Sequence, residues 1–474
     1  MLLHDKAFYS CAFFLIGVFL FSIFKSIFII VLISAIGAIY FITLKQYEWL
    51  WFLPVIVIGA FYYSLFSNIQ ERISIPFGNN IAEGIVINIE HRSASQMIVL
   101  ALTAPHKGKI KLTDKPYPRI EYGDKLSVSG NIEKIAPEMA DSYAKDGIYG
   151  TAKFAKINIL AHNQGNHLME MLVSFREKIV ATFSKVLPSD ESALLAGITL
   201  GEREGFSDDF KEKMSLSGTT HIVALSGYNI SILALVITNI LIAFISRSAA
   251  FYMTSLVIIL FVAMTGAEAS AVRAAIMGIL ALLAQETQRQ FSMRNAIIVA
   301  AFGMVLLNPR VLVFDLGFQL SFAALIGIVY ILPMLKYFIR IEQPGFLSWR
   351  ENGLTTLSAQ LAVFPLLLGK FGVVSLTSIL ANILILEAMP ITMALGFIIA
   401  GTGFISVFLA QVIAFIAHIL LTYELWVIDA FSRLSIPLSA PWFGFGAAAA
   451  YYSVLAFLII YYGPRFTGKV RNFK

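Results

Sequence analysis

Residues 8–24 have the sequence FYSCAFFLIGVFLFSIF, a run of 17 residues without a charged side chain. A helix needs about 20 apolar residues to cross the hydrocarbon core of a bilayer, so such runs decide the fold class. They recur along the chain, which has 58% hydrophobic residues, 14% charged residues and a mean hydropathy of +0.79. Because roughly 25% charged residues is normal for a soluble domain, this composition excludes a soluble enzyme, a disordered chain and a disulfide scaffold.

We therefore predict a polytopic α-helical membrane protein with ten to twelve transmembrane or re-entrant helices. The predicted spans are residues 8–24, 26–43, 49–66, 221–246, 249–265, 269–286, 294–309, 312–334, 352–369, 374–402, 403–431 and 446–463. Basic clusters fall in alternate connections, and the net charge of +6 agrees with a positive-inside bias. We expect a multi-pass protein of the cell membrane with both termini in the cytoplasm.

The predicted domains follow from where the apolar runs stop. Residues 1–67 form N-terminal transmembrane helices, 221–464 form the main membrane domain and 465–474 form a basic cytoplasmic tail. Residues 68–160 alternate between polar and apolar side chains in five short stretches, the last of them at 150–158, which predicts one small inserted all-β OB-fold-like soluble domain. Three preceding spans place this domain outside the cytoplasm. Residues 161–220 have helical periodicity with charged faces, which predicts amphipathic interfacial helices, the last of them starting at Ser207 and ending at Gly218.

The most unusual membrane stretch is residues 218–231, GTTHIVALSGYNIS, because it brings His221, Ser226, Gly227 and Asn229 into an otherwise apolar span. Polar side chains in a helix bundle commonly hold neighbouring helices together. A discontinuous helix that lines a hydrated path fits the same residues. The chemistry alone leaves both interpretations open.

Residues 265–277, TGAEASAVRAAIM, form a second block. Gly266 can break the helix, and Ser270 and Arg273 share a helix face. An arginine inside a span costs about 2.5 kcal/mol or more, so Arg273 is a functional candidate. The alternative is a structural ion pair with Glu268 or Asp315.

Two further blocks place polar groups in apolar surroundings. Residues 308–323 contain Asp315, Gln319 and Ser321, and residues 358–382 contain Gln360 and Pro365. A proline in mid-span frees a backbone carbonyl, which we expect to face a cavity. The single Cys11 and seven scattered histidines provide no metal pattern, so we expect neither a metal nor a cofactor.

Taken in order, four blocks resemble motifs of the ComEC competence family, the presumed inner-membrane channel for single-stranded DNA in natural transformation. The matching stretches are AGITLGER at 196–203, residues 218–229, residues 265–277 and GFQLS at 317–321. The resemblance extends over nearly all of the chain. It implies a DNA channel rather than an enzyme.

The resemblance implies a conduit lined or shaped by the polar blocks. Its residues would be His221, Ser226, Gly227, Asn229, Gly266, Ser270, Arg273, Asp315, Gln319, Ser321, Gln360 and Pro365. Residues 81–160 contain 11 Lys and Arg against 9 Asp and Glu, too balanced for a strong phosphate clamp. If the β domain binds a strand, stacking on Tyr117, Tyr122 and Phe154 should contribute. A purely structural lid is the alternative role of this domain.

The implied partners are single-stranded DNA, the lipid bilayer, a DNA receptor protein, a cytoplasmic helicase and further copies of the chain. Many family members carry a C-terminal metallo-β-lactamase-like domain, whereas this chain stops after its last span. We therefore expect the nuclease to be a separate protein. Family members often have a second histidine where this chain has Asn229.

Two other function classes compete with the channel. A transporter for a small solute or lipid would use coupling carboxylates in broken helices, for which the candidates are Asp315, Glu387 and Glu424. A membrane-embedded hydrolase would use Ser226 and His221, although the sequence around Ser226 lacks a complete GxSxG nucleophile motif.

Overall fold

The computed structural model describes residues 3–70, 73–91, 95–225, 227–339, 349–375, 377–440 and 443–470. Ser226, predicted to line the conduit, and residues 471–474 of the predicted tail lie outside these ranges. The chain packs as two units, residues 1–175 with 279–318, and residues 176–278 with 319–474. Each unit has its own packing.

The first unit begins with three apolar helices, α1 (Leu3–Phe24), α2 (Ile27–Thr43) and α3 (Leu53–Gln70). Helices α1 and α3 approach so closely that a methyl group at Gly17 would overlap the carbonyl oxygen of Ile56. Small residues allow such backbone contact between membrane helices, where apolar burial alone provides little driving force. The helix α11 (Met293–Leu307) packs on α1.

The β domain of this unit has six strands: β1 (Gly78–His91), β2 (Gln96–Leu102), β3 (Lys109–Asp114), β4 (Lys125–Lys134), β5 (Ile148–Lys153) and β6 (Lys156–Ala161). The pair β3 and β5 is parallel, and the other pairs are antiparallel. Neighbouring strands follow the order β1-β2-β3-β5-β4-β6, and β1 also pairs with β4. The first five strands therefore close on themselves as a small barrel. Its core consists of alternating buried side chains such as Val86, Ile98, Leu112 and Leu126.

The β domain differs from the sequence prediction in one element. The single strand expected at 150–158 is two strands, because the chain turns at Phe154, which has a positive φ of 50°. The helix α4 (Pro137–Ala144) lies between β4 and β5 and was not predicted.

The chain then continues through three helices, α5 (His167–Val186), α6 (Ser189–Leu200) and α7 (Asp208–Ser217). Ser207 caps α7 by accepting a hydrogen bond from the Phe210 amide at 3.1 Å, and Gly218 ends it at a φ of 70°. These are the predicted boundaries of α7. Helix α6 lacks the exposed polar face expected of an amphipathic helix, because its residues from Glu191 to Leu200 are all buried except Ala193.

The second unit continues with helices that correspond to the later predicted spans. They are α8 (Gly227–Ile242), α9 (Arg247–Met264), α10 (Ala269–Glu286, which extends into the first unit), the short α12 (Val311–Phe314, first unit), α13 (Leu316–Ile326), a π-helical turn (Gly327–Ile331), α14 (Leu332–Ile339), α15 (Trp349–Phe371), α16 (Ser378–Gly403), α17 (Val407–Arg433) and α18 (Phe445–Val470). Two short strands, β7 (Val373–Ser375) and β8 (Pro437–Ser439), pair with each other.

The expectation of a polytopic helical membrane protein is confirmed. Among the described residues, eight helices are long and apolar enough to cross a membrane, and four apolar helices are shorter. The shorter four are at 27–43, 229–242, 293–307 and 446–462. Together they account for the twelve predicted spans.

Candidate functional site

The first polar block forms an interrupted helix. Gly218 ends α7, a 3-10 turn covers Thr220–Ile222, and α8 begins only at Gly227. The imidazole of His221 is exposed and hydrogen-bonds to the backbone of Gly218. A span predicted as continuous from residue 221 therefore begins with non-helical backbone, as expected for a discontinuous helix.

Asn229 has a different place from the one predicted. Its side chain is 1% exposed, and its amide donates a hydrogen bond to the Ile198 carbonyl at 2.8 Å. This bond ties α8 to α6. Asn229 thus acts as a link between helices, and its side chain does not reach an exposed surface of the chain.

Arg273 lies on α10 beside the start of α8. Its guanidinium donates to the Ser321 carbonyl of α13 and lies 5.8 Å from the centre of the Phe322 ring. A methyl group at Gly227 would lie 3.6 Å from Nη2 of Arg273. The arginine, Gly227 and Ser321 are therefore neighbours, and they come from three of the four matching sequence blocks.

The charge of Arg273 has no carboxylate counter-ion within the described ranges. Neither proposed ion-pair partner is available, since Glu268 lies 3.5 Å from Arg203 and Asp315 lies 2.9 Å from Lys145. The Nε atom of Arg273 is also buried without a hydrogen-bond partner. The structure thus does not support the interpretation of Arg273 as half of a structural ion pair.

The remaining residues of the second and third blocks are less directly connected. Gly266 is exposed at a φ of 87°, where the turn between α9 and α10 requires a glycine-type backbone, and Ser270 is half-buried. Gln319 and the Ser321 side chain are half-buried on α13.

Asp315 is held by the β domain rather than exposed to a conduit. Its Oδ1 accepts a hydrogen bond from the Phe318 amide at 2.8 Å and so caps α13, while its Oδ2 lies 2.9 Å from Nζ of Lys145. Burial alone would lower the pKa of Lys145, but the hydrogen bond and charge of Asp315, with a smaller effect of Asp146, raise it above its usual value. Lys145 is therefore cationic at neutral pH.

Sequence reasoning missed the contact that surrounds this pair. The side chain of Asn308 donates to the Lys145 carbonyl at 2.6 Å, and Arg310 donates to the Ala144 carbonyl and the Tyr149 hydroxyl, both at 3.1 Å. We name this contact between α4 and residues 308–315 the α4 dock. The free carbonyls at the C-terminal end of α4 suit these donors.

The fourth block is packed rather than open. The Gln360 amide donates to Oγ of Ser378 at 2.7 Å, and a methyl group at Gly218 would overlap Ser378. Pro365 is buried, and the carbonyl that it frees on Leu361 accepts the Tyr451 hydroxyl of α18 at 2.9 Å. The expectation that this carbonyl faces a cavity is wrong, because a tyrosine satisfies it.

The three carboxylates of the transporter alternative are in different surroundings. Asp315 pairs with Lys145, and Glu387 accepts a hydrogen bond from Asn352 at 3.0 Å. Glu424 is fully buried between α16 and α17. Among the described residues, no group of three or more His, Cys, Asp or Glu side chains could hold a metal ion.

The aromatic candidates of the β domain are unequal. Tyr117 is 81% exposed and Phe154 is 68% exposed. Both are near the end of β3, since Tyr117 is in the loop that follows this strand and the Phe154 amide, just after β5, donates to the Thr113 carbonyl of β3 at 2.8 Å. Tyr122 is half-buried and its ring packs against Gly165. Only the first two rings are free to stack on a ligand.

Comparison with known proteins gives one family and one relative. The family model described as competence protein matches residues 198–465 of the chain. ComE operon protein 3 of Bacillus subtilis (strain 168) is 29% identical over 214 residues, which are 45% of this chain and 26% of that relative. The chain thus matches about a quarter of the length of this curated relative. No solved structure matches the chain.

Proposed function

Because this chain belongs to the competence protein family, we propose that it is a membrane channel through which single-stranded DNA enters the cytoplasm during natural transformation. The name ComE operon protein 3 does not describe a channel, so we base this proposal on the site. We propose no enzymatic activity and no cofactor for the chain. The partners that we propose are single-stranded DNA, the bilayer, a separate nuclease, a DNA receptor protein, a cytoplasmic helicase and further copies of the chain.

The observation that supports the proposal most strongly is the environment of Arg273. A cation in an apolar helix, without a carboxylate counter-ion in the described part of the chain, is costly unless an anion approaches it. The helix α8 begins at Gly227 beside this guanidinium, and the free amides of a helix N-terminus also attract anions. A phosphate group of a DNA strand would pair with the Arg273 guanidinium and accept hydrogen bonds from the free amides of α8.

The proposed path is completed by His221, Ser226, Gly227, Gly266, Ser270, Gln319 and Ser321. His221 and Gly266 are exposed, and the other described members are half-buried, which is compatible with a path that opens during transport. We leave out Asn229, Asp315, Gln360 and Pro365, because contacts with other residues already occupy the side-chain groups of the first three and the carbonyl that Pro365 frees.

We propose that the β domain is an OB-fold that receives the strand outside the cytoplasm. The closed order β1-β2-β3-β5-β4 with parallel β3 and β5 supports this assignment. Two ion pairs at opposite ends of α1 support a position of the β domain at the end of α1 away from the N-terminus: Lys25 with Asp141 of the β domain, and Asp5 with Arg294. With the N-terminus in the cytoplasm, the β domain is extracytoplasmic, and we propose a cytoplasmic C-terminus from the count of spans.

The channel is tested by deleting the gene in a naturally transformable host and following labelled DNA. We expect DNA to bind to the surface of deletion cells but not to enter the cytoplasm. Reintroducing the gene should restore entry. Normal entry into deletion cells would contradict the proposed function.

Replacing both Tyr117 and Phe154 by alanine should weaken binding of single-stranded DNA to the purified protein in lipid nanodiscs. Stacking of a base on an aromatic ring contributes about 1–3 kcal/mol, so the double variant should bind at least tenfold more weakly. Some DNA binding should remain and should depend on salt, because three cationic side chains are exposed in the same region: Lys115, Arg119 and Lys153. The matched control is Leu160→Ala, which removes an exposed apolar side chain without a ring. Unchanged binding of the double variant would favour the structural lid.

A further inference from the structure

Helices α16 and α17 enclose a carboxyl group that has only one donor. Glu424 is fully buried, and its Oε1 accepts a hydrogen bond from the Thr392 hydroxyl at 2.7 Å. Its Oε2 has no hydrogen-bond partner. Within the described ranges, no lysine, arginine or histidine nitrogen is recorded within 4.0 Å of this carboxyl.

A second buried carboxyl, on α6, contacts α17 and has a partner at each oxygen. Glu191 of α6 is 6% exposed, with Nδ1 of His418 2.7 Å from its Oε2 and the Thr422 hydroxyl donating to its Oε1 at 3.1 Å. Both oxygens of Glu191 therefore have partners. Glu424, less than two turns further along α17 than His418, has neither a cation nor a second donor.

An ionised carboxylate in this position would be poorly stabilised. Removing a charge from water is costly unless it is paired and hydrogen-bonded, and both conditions fail at Oε2. A protonated acid is the form that this packing accepts. Ionisation therefore requires that α16 and α17 move to admit water or a donor.

The helix that covers Glu424 contains a point at which it can bend. Pro390 is in the interior of α16, two residues before Thr392, and a proline removes one backbone hydrogen bond of its helix. Interruptions of this kind are common where membrane helices change their packing. The Glu424 carboxyl is thus close to Pro390 along the length of α16.

On the basis of the proposed function, we propose that Glu424 binds and releases a proton during each transport cycle, which couples DNA entry to proton movement. In the release step, the carboxyl O–H bond breaks, its electron pair stays on oxygen and the proton passes to water admitted between α16 and α17. In the return step, a proton from water on the other side restores the acid. The ligand of this site is the proton itself.

Other titratable groups around this helix pair also affect its pH dependence. On α6, α7 and α16 they are Glu191, Lys213 and Glu387, and on α17 they are His418, Tyr423, Asp429 and Arg433. Lys213 and Arg433 both pair with Asp429, His418 pairs with Glu191, and Glu387 accepts a hydrogen bond from Asn352. Glu424 is the fully buried carboxyl of the group, and it has no counter-charge among the described residues.

The test compares Glu424→Gln, Glu424→Asp and the control Glu387→Gln in cells of the deletion strain, with entry of labelled DNA as the measurement. Glutamine keeps the size and neutrality of the acid but cannot release a proton, so we expect entry to fall to the deletion level. Aspartate keeps an ionisable carboxyl and should retain part of the entry. Cells with Glu387→Gln should take up DNA normally, because the amide oxygen of glutamine can still accept a hydrogen bond from Asn352.

A purely structural role predicts the opposite order. If Glu424 only packs two helices, the isosteric glutamine should be the better replacement and aspartate the worse one. Normal entry with Glu424→Gln, or loss of entry with both variants, would overturn the proton site and leave the channel intact. Normal entry in the deletion strain would instead contradict the channel itself.

A spectroscopic measurement makes the test independent of transport. The infrared spectrum of the purified wild-type protein in lipid should contain the C=O band of a protonated carboxyl at neutral pH. This band should be absent from Glu424→Gln and shifted in Glu424→Asp. A wild-type spectrum without such a band would overturn the proposal even if a variant failed to fold.

Discussion

Replacement of Arg273 by glutamine should reduce the entry of labelled single-stranded DNA to the level of the deletion strain. Glutamine keeps a donor for the Ser321 carbonyl but removes the positive charge beside Gly227. A hydrogen bond to a charged group contributes about 1.5–3 kcal/mol, so phosphate would occupy this point roughly 10- to 150-fold less. The effect is large because no carboxylate in the described part of the chain already pairs with this charge.

Two further variants separate charge from shape. Arg273→Lys keeps the charge as a compact ammonium without the planar fork, so we expect partial entry. Arg294→Gln is the matched control, because Arg294 begins an apolar helix but already has a counter-ion in Asp5 at 2.7 Å. Its loss should affect stability and leave entry close to normal.

The measurement is the amount of label that becomes resistant to external nuclease, divided by the amount of protein in the membrane. Arg273→Gln protein that is present at wild-type levels and imports DNA normally would mean that the uncompensated charge has another purpose. A defect of equal size in Arg294→Gln would mean that any lost arginine disturbs the membrane domain.

Local pattern was sufficient to predict most of the helices. An apolar run of the right length favours a helix, because a helix satisfies all the backbone hydrogen bonds of one segment within a bilayer. The end of α7 at Gly218 was also predictable, because a glycine that can adopt a left-handed backbone ends a helix through hydrogen bonds within its last turn. The turn at Phe154 was missed because its alternating pattern continues through the bend.

The partners of polar side chains could not be predicted in the same way. Sequence shows that Asn229 and the backbone near Pro365 need hydrogen bonds, but not that Ile198 and Tyr451 provide them. The same limit applies to Asp315, which was expected in the conduit and instead pairs with Lys145, 170 positions earlier in the chain. Contacts over such separations depend on the whole fold.

The second large effect is expected at Arg310, the centre of the α4 dock. Its side chain is 7% exposed and donates to both the Ala144 carbonyl and the Tyr149 hydroxyl. Arg310→Ala should release the C-terminal end of α4, because two buried acceptors lose their donor. A bond to a charged group contributes about 1.5–3 kcal/mol, so two such bonds make this contact a main support of the β domain.

Hydrogen exchange of the purified protein in lipid can measure this release. We expect faster exchange in Arg310→Ala across residues 137–150, with the remaining barrel strands protected as before. Lys145→Met is the matched comparison, because it removes the ion pair with Asp315 but leaves both Arg310 bonds in place. The ion pair between Lys145 and Asp315 is partly exposed, so it should stabilise the contact less than the two Arg310 bonds do. An exposed ion pair contributes about 0–1 kcal/mol, and this one should contribute somewhat more.

The relative increase in hydrogen exchange in the two variants shows which interaction holds α4. If Lys145→Met releases α4 more than Arg310→Ala does, the charge pair holds the domain and the dock should weaken when salt is added. If Arg310→Ala has the larger effect and salt has little, hydrogen bonds to the carbonyl end of α4 hold it. We expect the second result, because Arg310 is buried whereas Lys145 keeps 21% of its side-chain surface exposed.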